Sequence, residues 1–422
     1  MKVAFVSTLY APNERGGAER TVRILAESLV AQGHEAVVIS LAPDGVACDG
    51  TLNGVKVYYV PLANLYWKQS EPIKSRFSRM LWHAIDAYNP FMARRVERIL
   101  RRERPDVVQT GNLQGFSVSL WPSVRRLGLP LVQMLHDYYL GCPKSTMTRG
   151  EDNCPRQCRS CRLFATPRRA YSNLPAAVIS LSRRLLQRLE GTGLFGDVPH
   201  KYIINGINKS RPQPVPRANK RPGEPIVVGY LGRMDETKGI EVLLRAAELL
   251  PPHQLTVLLG GTGDADYMAR LRQHHAAANV QFLGFVAPSD FFARIDVLVV
   301  PSTWEEPLGR VIYEGYAHGI PSLVANLGGM PEIVEPGRTG YVFRPGDSVD
   351  IAAYLQGRIA AGWPGQAFFE ACIERGKDFT VERVFDQYLR VWEQAIGIRT
   401  NAPQVRRARP AGEPAATPAR PS

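Results

Sequence analysis

The sequence predicts an α/β protein with two doubly wound parallel-sheet domains that face each other across a cleft. Three observations lead to this prediction: a strand–helix–strand opening in the first forty residues, a second such opening from Ile226, and a Pro-rich stretch without apolar period between them. A chain of 422 residues is also longer than one compact core usually allows. Strands that alternate with helices favour parallel sheets, because each crossover helix covers a face of the sheet.

The two openings define the domains. The first reads VAFVS, a loop with two glycines, the periodic segment TVRILAESLVAQ and the strand EAVVISL. The second reads IVVGYL, the loop GRMDETKG, the helical segment IEVLLRAAELL and the strand QLTVLLGG. We therefore predict an N-terminal domain at residues 1–208, with a Cys-containing insertion at about 142–161. A linker at residues 209–223 then leads to a C-terminal domain at 224–375.

The C-terminal end divides into two parts. The segment VERVFDQYLRVWEQAI has apolar residues at helical spacing, so residues 376–398 are expected to hold a helix that packs on a domain surface. Residues 399–422 consist mainly of Ala, Pro, Arg and small polar residues and contain no aromatic residue. We expect them to form a disordered tail, because they cannot bury enough apolar surface to offset chain entropy.

The net charge of +13 indicates anionic partners. No nucleic acid is expected, because the chain lacks zinc-finger spacing and basic stretches interleaved with aromatics. A phosphorylated substrate and an anionic membrane face remain as candidate partners. Basic stretches lie around residues 94–104, 168–169 and 183–188, although solvated helix faces explain them equally well. No apolar run approaches the roughly 18 residues that a spanning helix needs, so we expect a cytoplasmic protein, either free or peripheral on the inner membrane.

The first glycine-containing loop does not carry a cofactor signature. It reads NERGGAE rather than G-x-G-x-x-G, and no G-x-x-x-x-G-K-[ST] occurs, so nicotinamide and P-loop functions are disfavoured. Gly16 and Gly17 would let the N–H groups of a helix N-terminus approach an anion, and a plain tight turn accounts for them as well. Asp264 and Asp266 form D-x-D, but they stand at a helix start and are interpreted as caps rather than metal ligands.

The loop of the second opening has the composition of a diphosphate site. Arg233 and Lys238 flank the entry to a helix, and Gly239 follows the lysine. Two fixed positive charges and a helix N-terminus would then converge on one group, for which a diphosphate is the natural ligand.

Two glutamates follow in DVLVVPSTWEEPLGRVIYEGYAHG. We predict a buried strand, a loop that contains Glu306, and a helix from about Gly309 to His318 that contains Glu314. The two carboxylates therefore cannot be neighbours on one helical face. They could instead accept hydrogen bonds from two hydroxyls of one polyhydroxylated ligand.

The stretch from Glu306 to Glu314 resembles the E-x7-E motif of the retaining GT-B glycosyltransferases, in particular family 4 (glycosyl transferases group 1). The order GRMDETKG, LLGGTGD, FLGFV, PSTWEEPLG, GIPSLVA, GGMPEIV and GRTGYVF is similar too, and the similarity extends from Met1 to about Ile396. The resemblance implies a GT-B architecture in which the closing helix packs back on the N-terminal domain.

The resemblance also implies roles for individual residues. Arg233 and Lys238 would bind the diphosphate of a nucleotide-sugar donor, a UDP- or GDP-hexose, and Glu314 would accept hydrogen bonds from its ribose. Glu306 would hold the transferred sugar. The remaining donor contacts would come from glycines, loop amides and the residues that lie against the base, namely Gly17, Gly284, Phe285, Val286, Leu308 and Gly309. His136, at the carboxyl end of the strand LPLVQML, would lie near the reaction centre, where Asp137 could orient its ring.

The implied activity is transfer of a hexose, with retention, to a saccharide or glycolipid acceptor in bacterial exopolysaccharide, capsule or lipopolysaccharide assembly. The catalytic residues would be His136, Glu306, Arg233 and Lys238, and no cofactor would be required. The departing diphosphate would help to deprotonate the acceptor, whereas a double displacement with Glu306 as nucleophile is the less favoured mechanism. A sugar-nucleotide epimerase of the same fold and a catalytically silent binding module are the alternatives.

Four of the six cysteines are clustered after the HDYYLG stretch. They are Cys142, Cys154, Cys158 and Cys161. In a cytoplasmic protein such a cluster favours metal over disulfides. Its spacing is looser than that of a zinc ribbon, so structural zinc, an iron–sulfur cluster and free thiols all remain open.

Overall fold

The computed structural model describes residues 1–14, 16–67, 75–150, 152–209, 214–275 and 279–401. Two parallel sheets, each with helices on its faces, form the two halves of the chain, and the predicted fold class is confirmed. No helix within these ranges has both the length and the apolar character needed to cross a membrane.

The N-terminal half holds the larger sheet. Its strands and the short hairpin of the insertion are β1 (Lys2–Val6), β2 (Glu35–Leu41), β3 (Cys48–Leu52), β4 (Val55–Val60), β5 (Val107–Thr110), β6 (Leu131–Leu135), β7 (Thr148–Arg149), β8 (Asp152–Asn153), β9 (Ala177–Ser180) and β10 (His200–Ile203). Its helices are α1 (Gly17–Ala31), α2 (Arg76–Ala87), α3 (Pro90–Glu103), α4 (Leu120–Arg126), α5 (Arg159–Phe164), α6 (Thr166–Tyr171) and α7 (Arg183–Glu190).

The sheet order in this half is β10-β9-β6-β5-β1-β2-β4-β3. All neighbours are parallel except β3 and β4 at one edge, and β7 pairs only with β8 in a separate hairpin. Strand order reverses beside β1, which lies between β5 and β2. In open α/β sheets the crevice at such a reversal, beyond the carboxyl ends of the strands, is where ligands bind.

The C-terminal half repeats this arrangement with six strands. They are β11 (Ile226–Leu231), β12 (Leu255–Gly260), β13 (Val280–Gly284), β14 (Val297–Val300), β15 (Ser322–Ala325) and β16 (Gly340–Phe343). The helices are α8 (Ile240–Glu248), α9 (Ala265–His274), α10 (Pro288–Phe292), α11 (Arg310–Ala317), α12 (Ser348–Ala361), α13 (Gly365–Gly376) and α14 (Val381–Asn401). The all-parallel order β13-β12-β11-β14-β15-β16 reverses between β11 and β14, so both donor loops of the sequence analysis leave strands at the reversal.

Helix α14 packs on the N-terminal sheet. Its Trp392 contacts Phe5 of β1 edge to face, with 5.7 Å between ring centroids, and donates from Nε1 to Gln109 Oε1 at 2.7 Å. Tyr388 is also fully buried there. The helix ends at Asn401 and therefore takes in the first residues of the expected tail, while residues 402–422 lie outside the described residues.

The described part of the expected linker is bonded to the C-terminal half. Lys220 exchanges backbone hydrogen bonds with Trp363 and forms an ion pair with Asp296 at 2.6 Å. The guanidinium group of Arg217 donates to two carbonyls at the end of α10. Residues 210–213 lie outside the described residues. A stretch without apolar period is thus held by polar contacts rather than by burial.

Candidate active site

The carboxyl edges of the two sheets contact each other through loops. Asn153 of the insertion donates to Thr303 O at 2.7 Å and accepts from Glu305 N at 3.0 Å. Ser182, at the start of α7, donates to Pro307 O at 2.6 Å. The loop from β14 to α11, which contains Glu306, is therefore held directly by the N-terminal half.

Charged groups reinforce this contact. The carboxylate of Glu332 accepts hydrogen bonds, both 2.8 Å long, from the backbone N–H groups of Arg183 and Arg184 at the N-terminus of α7. Glu305 is 6% exposed and forms ion pairs with Arg184 and, at 2.8 Å, with Arg188. A carboxylate at a helix N-terminus complements the helix dipole, so these contacts position one half of the cleft against the other.

Glu306 and Lys238 meet in the cleft. Lys238 Nζ lies 2.8 Å from Glu306 Oε1, and both side chains are largely buried. Ser302 donates to the same carboxylate oxygen, and Lys238 Nζ lies 5.4 Å from the centroid of the Trp304 ring. The two residues that the resemblance assigns to the sugar and the diphosphate are therefore adjacent and partner each other.

Two glycines allow this close approach. Gly239, with φ of +65°, follows Lys238, and a Cβ there would lie 2.0 Å from Pro301 O. A Cβ at Gly328, with φ of +59°, would lie 2.1 Å from Glu306 O. Only glycine fits a left-handed backbone so close to other main-chain atoms, so these residues let the loops that carry Lys238 and Glu306 pack together.

Arg233 has a different partner from Lys238. Its side chain is 74% exposed and forms an ion pair with Asp235 at 2.6 Å. Burial of the Asp235 carboxyl tends to raise its pKa, but hydrogen bonds from Thr237 and Arg233 outweigh burial and lower the pKa below its usual range. The convergence of Arg233 and Lys238 expected from the sequence therefore requires Arg233 to leave Asp235.

Glu314 lies opposite the N-terminus of α1. Its carboxylate accepts from Arg310 Nε at 2.6 Å, one helical turn earlier in α11. A Cβ on Gly17 would lie 3.6 Å from Arg310 Cδ, so α11 and the start of α1 are close across the cleft. Gly16 caps α1 without a side-chain hydrogen bond. An arginine and an uncapped helix N-terminus thus face the same space, which suits an anion.

His136 follows β6 and is largely, although not fully, buried. Its Nε2 has no hydrogen-bond partner among the described residues, and burial lowers its pKa to about 4. Asp137 does not orient the ring: its carboxylate accepts from Tyr139 N at 2.7 Å and from Asn112 Nδ2 at 3.2 Å. Burial raises the pKa of Asp137 to about 6. At neutral pH His136 is therefore an uncharged imidazole that can hydrogen-bond to a hydroxyl.

A buried ion pair supports the loop that carries His136. Asp86 and Arg168 are both fully buried, with Asp86 Oδ2 3.6 Å from Arg168 Nη2. Asp86 accepts from the hydroxyl of Tyr139 and from Gly115 N, both at 2.6 Å, and the Arg168 guanidinium lies 4.0 Å from the centroid of the Tyr139 ring. The interpretation of Arg168 as part of a basic surface is therefore wrong, because its side chain is 0% exposed and pairs with Asp86 of α2.

The residues expected near the base, Gly284, Phe285 and Val286, and those expected to offer amides to the sugar, Leu308 and Gly309, differ in their exposure. Phe285 is 86% exposed, whereas Val286 is partly buried against the core. Gly284 has φ of +66° at the end of β13. Leu308 is buried and Gly309, with φ of +91°, precedes α11 as its N-cap. An aromatic ring as exposed as Phe285 is free to stack on a base.

The cysteine cluster holds one close pair. Cys161 Sγ lies 3.7 Å from Cys142 Sγ, and this contact lowers the pKa of Cys142 to about 6. Within the described ranges no group of three or more His, Cys, Asp and Glu side chains is placed to hold a metal ion. The donor set as it stands does not fit zinc, which needs four ligands in a structural site. Zinc at Cys142, Cys154, Cys158 and Cys161 stays a prediction that elemental analysis of the purified protein tests.

The D-x-D stretch is a helix cap, as predicted. Asp264 precedes α9 and its carboxylate accepts from Tyr267 N at 2.9 Å.

Sequence reasoning missed several residues of the site. They contact the predicted residues or join the two halves, and they are Asn153, Ser182, Arg184, Arg188, Ser302, Trp304, Glu305, Arg310 and Glu332. A local signal existed only for Arg310, which stands four residues before Glu314 on the same helix. The others are partners across loops or domains, for which no spacing rule exists.

The pH dependence of stability tests the state of His136. With a pKa of about 4 in the folded chain and 6.5 in the unfolded chain, His136 lowers stability as pH falls from 6.5 to 4, because only the unfolded chain takes up the proton. His136→Gln should therefore be more acid-resistant, and the free energy of unfolding of the original protein should fall relative to the variant by about 3 kcal/mol across this window. Urea unfolding of both proteins from pH 7 to pH 4 measures the difference. A difference that does not vary with pH contradicts burial of a neutral imidazole.

Gly17→Ala separates ligand binding from packing. The new Cβ would be in ordinary contact with Arg310 Cδ, and Gly17 does not need a left-handed backbone, so folding stability should be unchanged or slightly higher. A donor diphosphate that approaches the α1 N-terminus would meet the methyl group, and the KM for the donor should rise about tenfold, the equivalent of one charge-assisted hydrogen bond. Gly196→Ala, whose Cβ enters open space, is the control. An unaltered KM in Gly17→Ala contradicts diphosphate binding here.

Comparisons with known proteins agree with this geometry. A family model described as glycosyl transferase 4-like domain matches residues 16–206, and one described as glycosyl transferases group 1 matches residues 213–360. An uncharacterized 42.6 kDa protein in the cps region of Klebsiella pneumoniae is 28% identical over 393 residues, which is 93% of this chain and 100% of that protein. An uncharacterized glycosyltransferase of Methanocaldococcus jannaschii is 27% identical over 403 residues, 91% of this chain and 94% of the relative.

A solved structure supports the fold. The Anabaena protein HepE in complex with UDP and glucose superposes with a TM-score of 0.65 at 22% identity, covering 93% of this chain and 99% of HepE. The superposition covers both halves of the chain, so it supports the same fold for both.

Proposed function

The chain belongs to glycosyltransferase family 4, and from this premise we propose that it transfers a hexose, with retention, from UDP- or GDP-hexose to a hydroxyl of a saccharide or glycolipid acceptor. The observation that carries the proposal is the contact between Lys238 and Glu306 in the cleft, at 2.8 Å. One group suits a diphosphate and the other suits sugar hydroxyls, so their adjacency matches the junction between the two parts of a nucleotide sugar.

The donor replaces contacts that the site already makes. Lys238 and Glu306 partner each other, and Arg310 and Glu314 do the same. Donor phosphate oxygens would take up the charges of Lys238 and Arg310 as well as the α1 N-terminus at Gly17, while sugar and ribose hydroxyls would bind Glu306 and Glu314. Phosphate charges thus replace the partners of Lys238 and Arg310, and hydroxyls donate hydrogen bonds to the two carboxylates, so each charged group keeps a hydrogen-bond partner.

The proposed mechanism is a front-face displacement. The bond between the anomeric carbon and the diphosphate oxygen breaks, and the acceptor oxygen bonds to the same face of that carbon. The acceptor proton passes to the departing phosphate oxygen. Lys238, Arg310, Arg233 after release from Asp235, and the α1 N-terminus stabilise the charge that develops on the diphosphate, which is the larger part of the protein's contribution. Neutral His136 would hydrogen-bond to a hydroxyl at the reaction centre.

The other mechanisms and functions make different predictions. A double displacement with Glu306 as nucleophile needs its carboxylate on the far face of the anomeric carbon, whereas the role proposed here for Glu306 is to accept hydrogen bonds from the hydroxyls of the transferred sugar. An epimerase would convert the donor without any acceptor. A silent binding module would bind the donor without turnover. The contacts of Lys238, Glu306, Glu314 and His136 favour the transferase.

A donor screen followed by product analysis tests the proposed function. Thermal shift with UDP- and GDP-hexoses should identify one stabilising donor, and incubation with an acceptor mixture should release UDP or GDP. The proton NMR coupling constant of the new anomeric centre should report the donor's configuration. An inverted product, or a donor isomerised without acceptor, contradicts the proposal. We propose capsule or other surface polysaccharide assembly as the pathway, supported by the relative in the Klebsiella cps region.

We further propose that helices α2 and α3 contact an anionic inner membrane. Phe77, Met80 and Leu81 lie on one face of α2 and are 68%, 53% and 40% exposed, and Phe91 at the start of α3 is 64% exposed. Exposed arginines stand among them, namely Arg76, Arg79, Arg94 and Arg98. Apolar side chains flanked by cations complement the interface of an anionic bilayer. The arginines of the other two basic stretches contribute less, because Arg168 is buried and Arg184 and Arg188 pair with Glu305.

Sedimentation with vesicles tests the membrane contact. At low salt the protein should co-sediment with vesicles that contain anionic lipid. The double substitution Phe77→Ser/Met80→Ser should reduce the bound fraction several-fold. Val349→Ser, an equally exposed apolar residue on α12, is the control. Equal sedimentation of the three proteins would contradict the proposed surface.

A further inference from the structure

We propose that a crevice between the insertion and α7 binds a diphosphate or another multiply charged phosphate group, at a site separate from the donor site. The crevice is a cavity of about 650 Å³, and four arginines line it: Arg156, Arg162, Arg169 and Arg188, named here the arginine pocket. Its remaining lining consists of Met147, Pro155 and small or neutral polar residues such as Gln157, Thr192 and Gly193. None of the residues assigned to the donor lies in it.

The charge of the arginine pocket is unbalanced. Arg188 forms an ion pair with Glu305, with 2.8 Å between Arg188 Nε and the carboxylate. The other three form no ion pair with any carboxylate in the described part of the chain, and no Asp or Glu lines the cavity. Three uncompensated guanidinium groups around one cavity favour an anion with two or more charges. Phosphate and diphosphate oxygens match the paired N–H groups of guanidinium in geometry as well as in charge.

Local structure keeps the guanidinium groups available. The carbonyls at the end of α7 are taken by backbone N–H groups of the chain itself: Gly191 N binds Gln187 O at 2.9 Å and Gly193 N binds Glu190 O at 2.8 Å. Arg169 Nη2 donates one hydrogen bond to Arg162 O, at 2.7 Å. This contact joins α6 to α5 on one side of the cavity. The remaining N–H groups of Arg169 are unused by the described residues. These two carbonyls at the end of α7 therefore already have donors, which reduces their competition with a ligand anion.

The insertion forms most of the pocket. Arg156 lies between Cys154 and Cys158, and Arg162 follows Cys161 on α5. Arg188 donates to Cys154 O at 2.5 Å and to Pro155 O at 3.2 Å, so it joins the insertion to α7. Because Glu305 precedes Glu306, the occupant would lie beside the ion pair that holds the donor loop. The site does not depend on the proposed transferase activity, since its residues and its ligand are independent of the donor.

Calorimetric titration of the full chain with inorganic pyrophosphate tests the proposal. Lys238→Ala serves as the background in which pyrophosphate binding at the donor site is weakened. In that background Arg156→Gln/Arg162→Gln should weaken pyrophosphate binding by about tenfold or more, because two charge-assisted hydrogen bonds are lost. Arg159→Gln, an exposed arginine of the same segment that does not line the cavity, should bind like the background. Acetate should bind at least tenfold more weakly than pyrophosphate.

Two ligand sources share this chemistry, and a second titration separates them. Monomeric dihexanoyl phosphatidic acid that binds through Arg156 and Arg162 identifies a lipid headgroup as the source, and pyrophosphate binding alone identifies a free phosphate ligand. The proposal is overturned if neither ligand binds in the Lys238→Ala background, or if Arg159→Gln weakens binding as much as the double substitution does. UDP-sugar binding by the double variant, measured separately, reports on the donor site, so failure of one site is distinguishable from failure of the other.

Discussion

Replacing Lys238 with alanine is expected to lower kcat for glycosyl transfer by about 10²- to 10³-fold, the usual cost of removing one group that stabilises a charge developing in the transition state. The Lys238 side chain is largely buried, and its Nζ lies 2.8 Å from Glu306 and 5.4 Å from the centroid of the Trp304 ring. In this setting its charge is weakly screened by solvent, and its attraction for a departing diphosphate is correspondingly strong. Steady-state kinetics with the donor identified by the screen measures the effect.

The control for Lys238→Ala is Arg245→Ala on the following helix α8. Arg245 forms an exposed ion pair with Glu241 at 3.6 Å. Its replacement by alanine removes the same formal charge as Lys238→Ala does. Its kcat should stay within about twofold of the original, because a screened surface charge contributes little. Glu306→Ala should lose turnover to a similar extent as Lys238→Ala. Near-normal turnover in either variant contradicts the assigned site, since each removes a direct contact with the reacting sugar or its leaving group.

Replacing Asp86 with alanine is expected to lower the free energy of unfolding by about 3 to 5 kcal/mol, because it leaves the charge of Arg168 buried without its partner. Both side chains are 0% exposed. Asp86 also accepts from Tyr139 and Gly115, so two further buried hydrogen bonds are lost. Tyr139 lies in the loop after β6 that also contains His136, so a shift of Tyr139 should displace His136 as well. Urea unfolding followed by tryptophan fluorescence measures the loss.

A double-mutant cycle shows whether the ion pair causes this loss. Asp86→Ala/Arg168→Met removes both charges, and it should be less destabilised than the sum of the two single variants, because no unpaired buried ion remains. Arg338→Ala, which breaks the exposed pair with Glu335, should change the free energy of unfolding by less than about 1 kcal/mol. Additive effects of Asp86→Ala and Arg168→Met contradict a coupled buried pair.

Much of the fold could be predicted from local pattern. The segment TVRILAESLVAQ forms most of α1, and the buried runs IVVGYL and VLVV form strands β11 and β14, because hydrophobic periodicity reflects which faces are buried. Asp264 caps α9 as its position before a helix indicates. The placement of Glu306 in a loop and Glu314 in a helix also agrees with α11. The exact strand order could not be predicted from pattern, since pairing joins segments far apart in the chain.

Part of the site could not be predicted for the same reason. Arg233 and Lys238 stand in one short loop, yet Arg233 pairs with Asp235 on the surface while Lys238 turns to Glu306. Arginine is usually a surface residue, but Arg168 is fully buried beside Asp86 of α2 and the Tyr139 ring. Burial of a charge depends on what other segments pack around it, which composition does not report.

The sequence by itself determined the two α/β domains, the loops that carry Lys238 and Glu306, and the helix that carries Glu314. These features follow from periodicity, helix caps and glycine positions, all of which act within a few residues. Only the tertiary structure decided which charges meet. Glu305 pairs with Arg184 and Arg188, more than a hundred residues away, and Arg310 lies against Gly17 across the cleft. Ion pairs and cavities between domains arise from the packing of whole elements, and no local pattern records that packing.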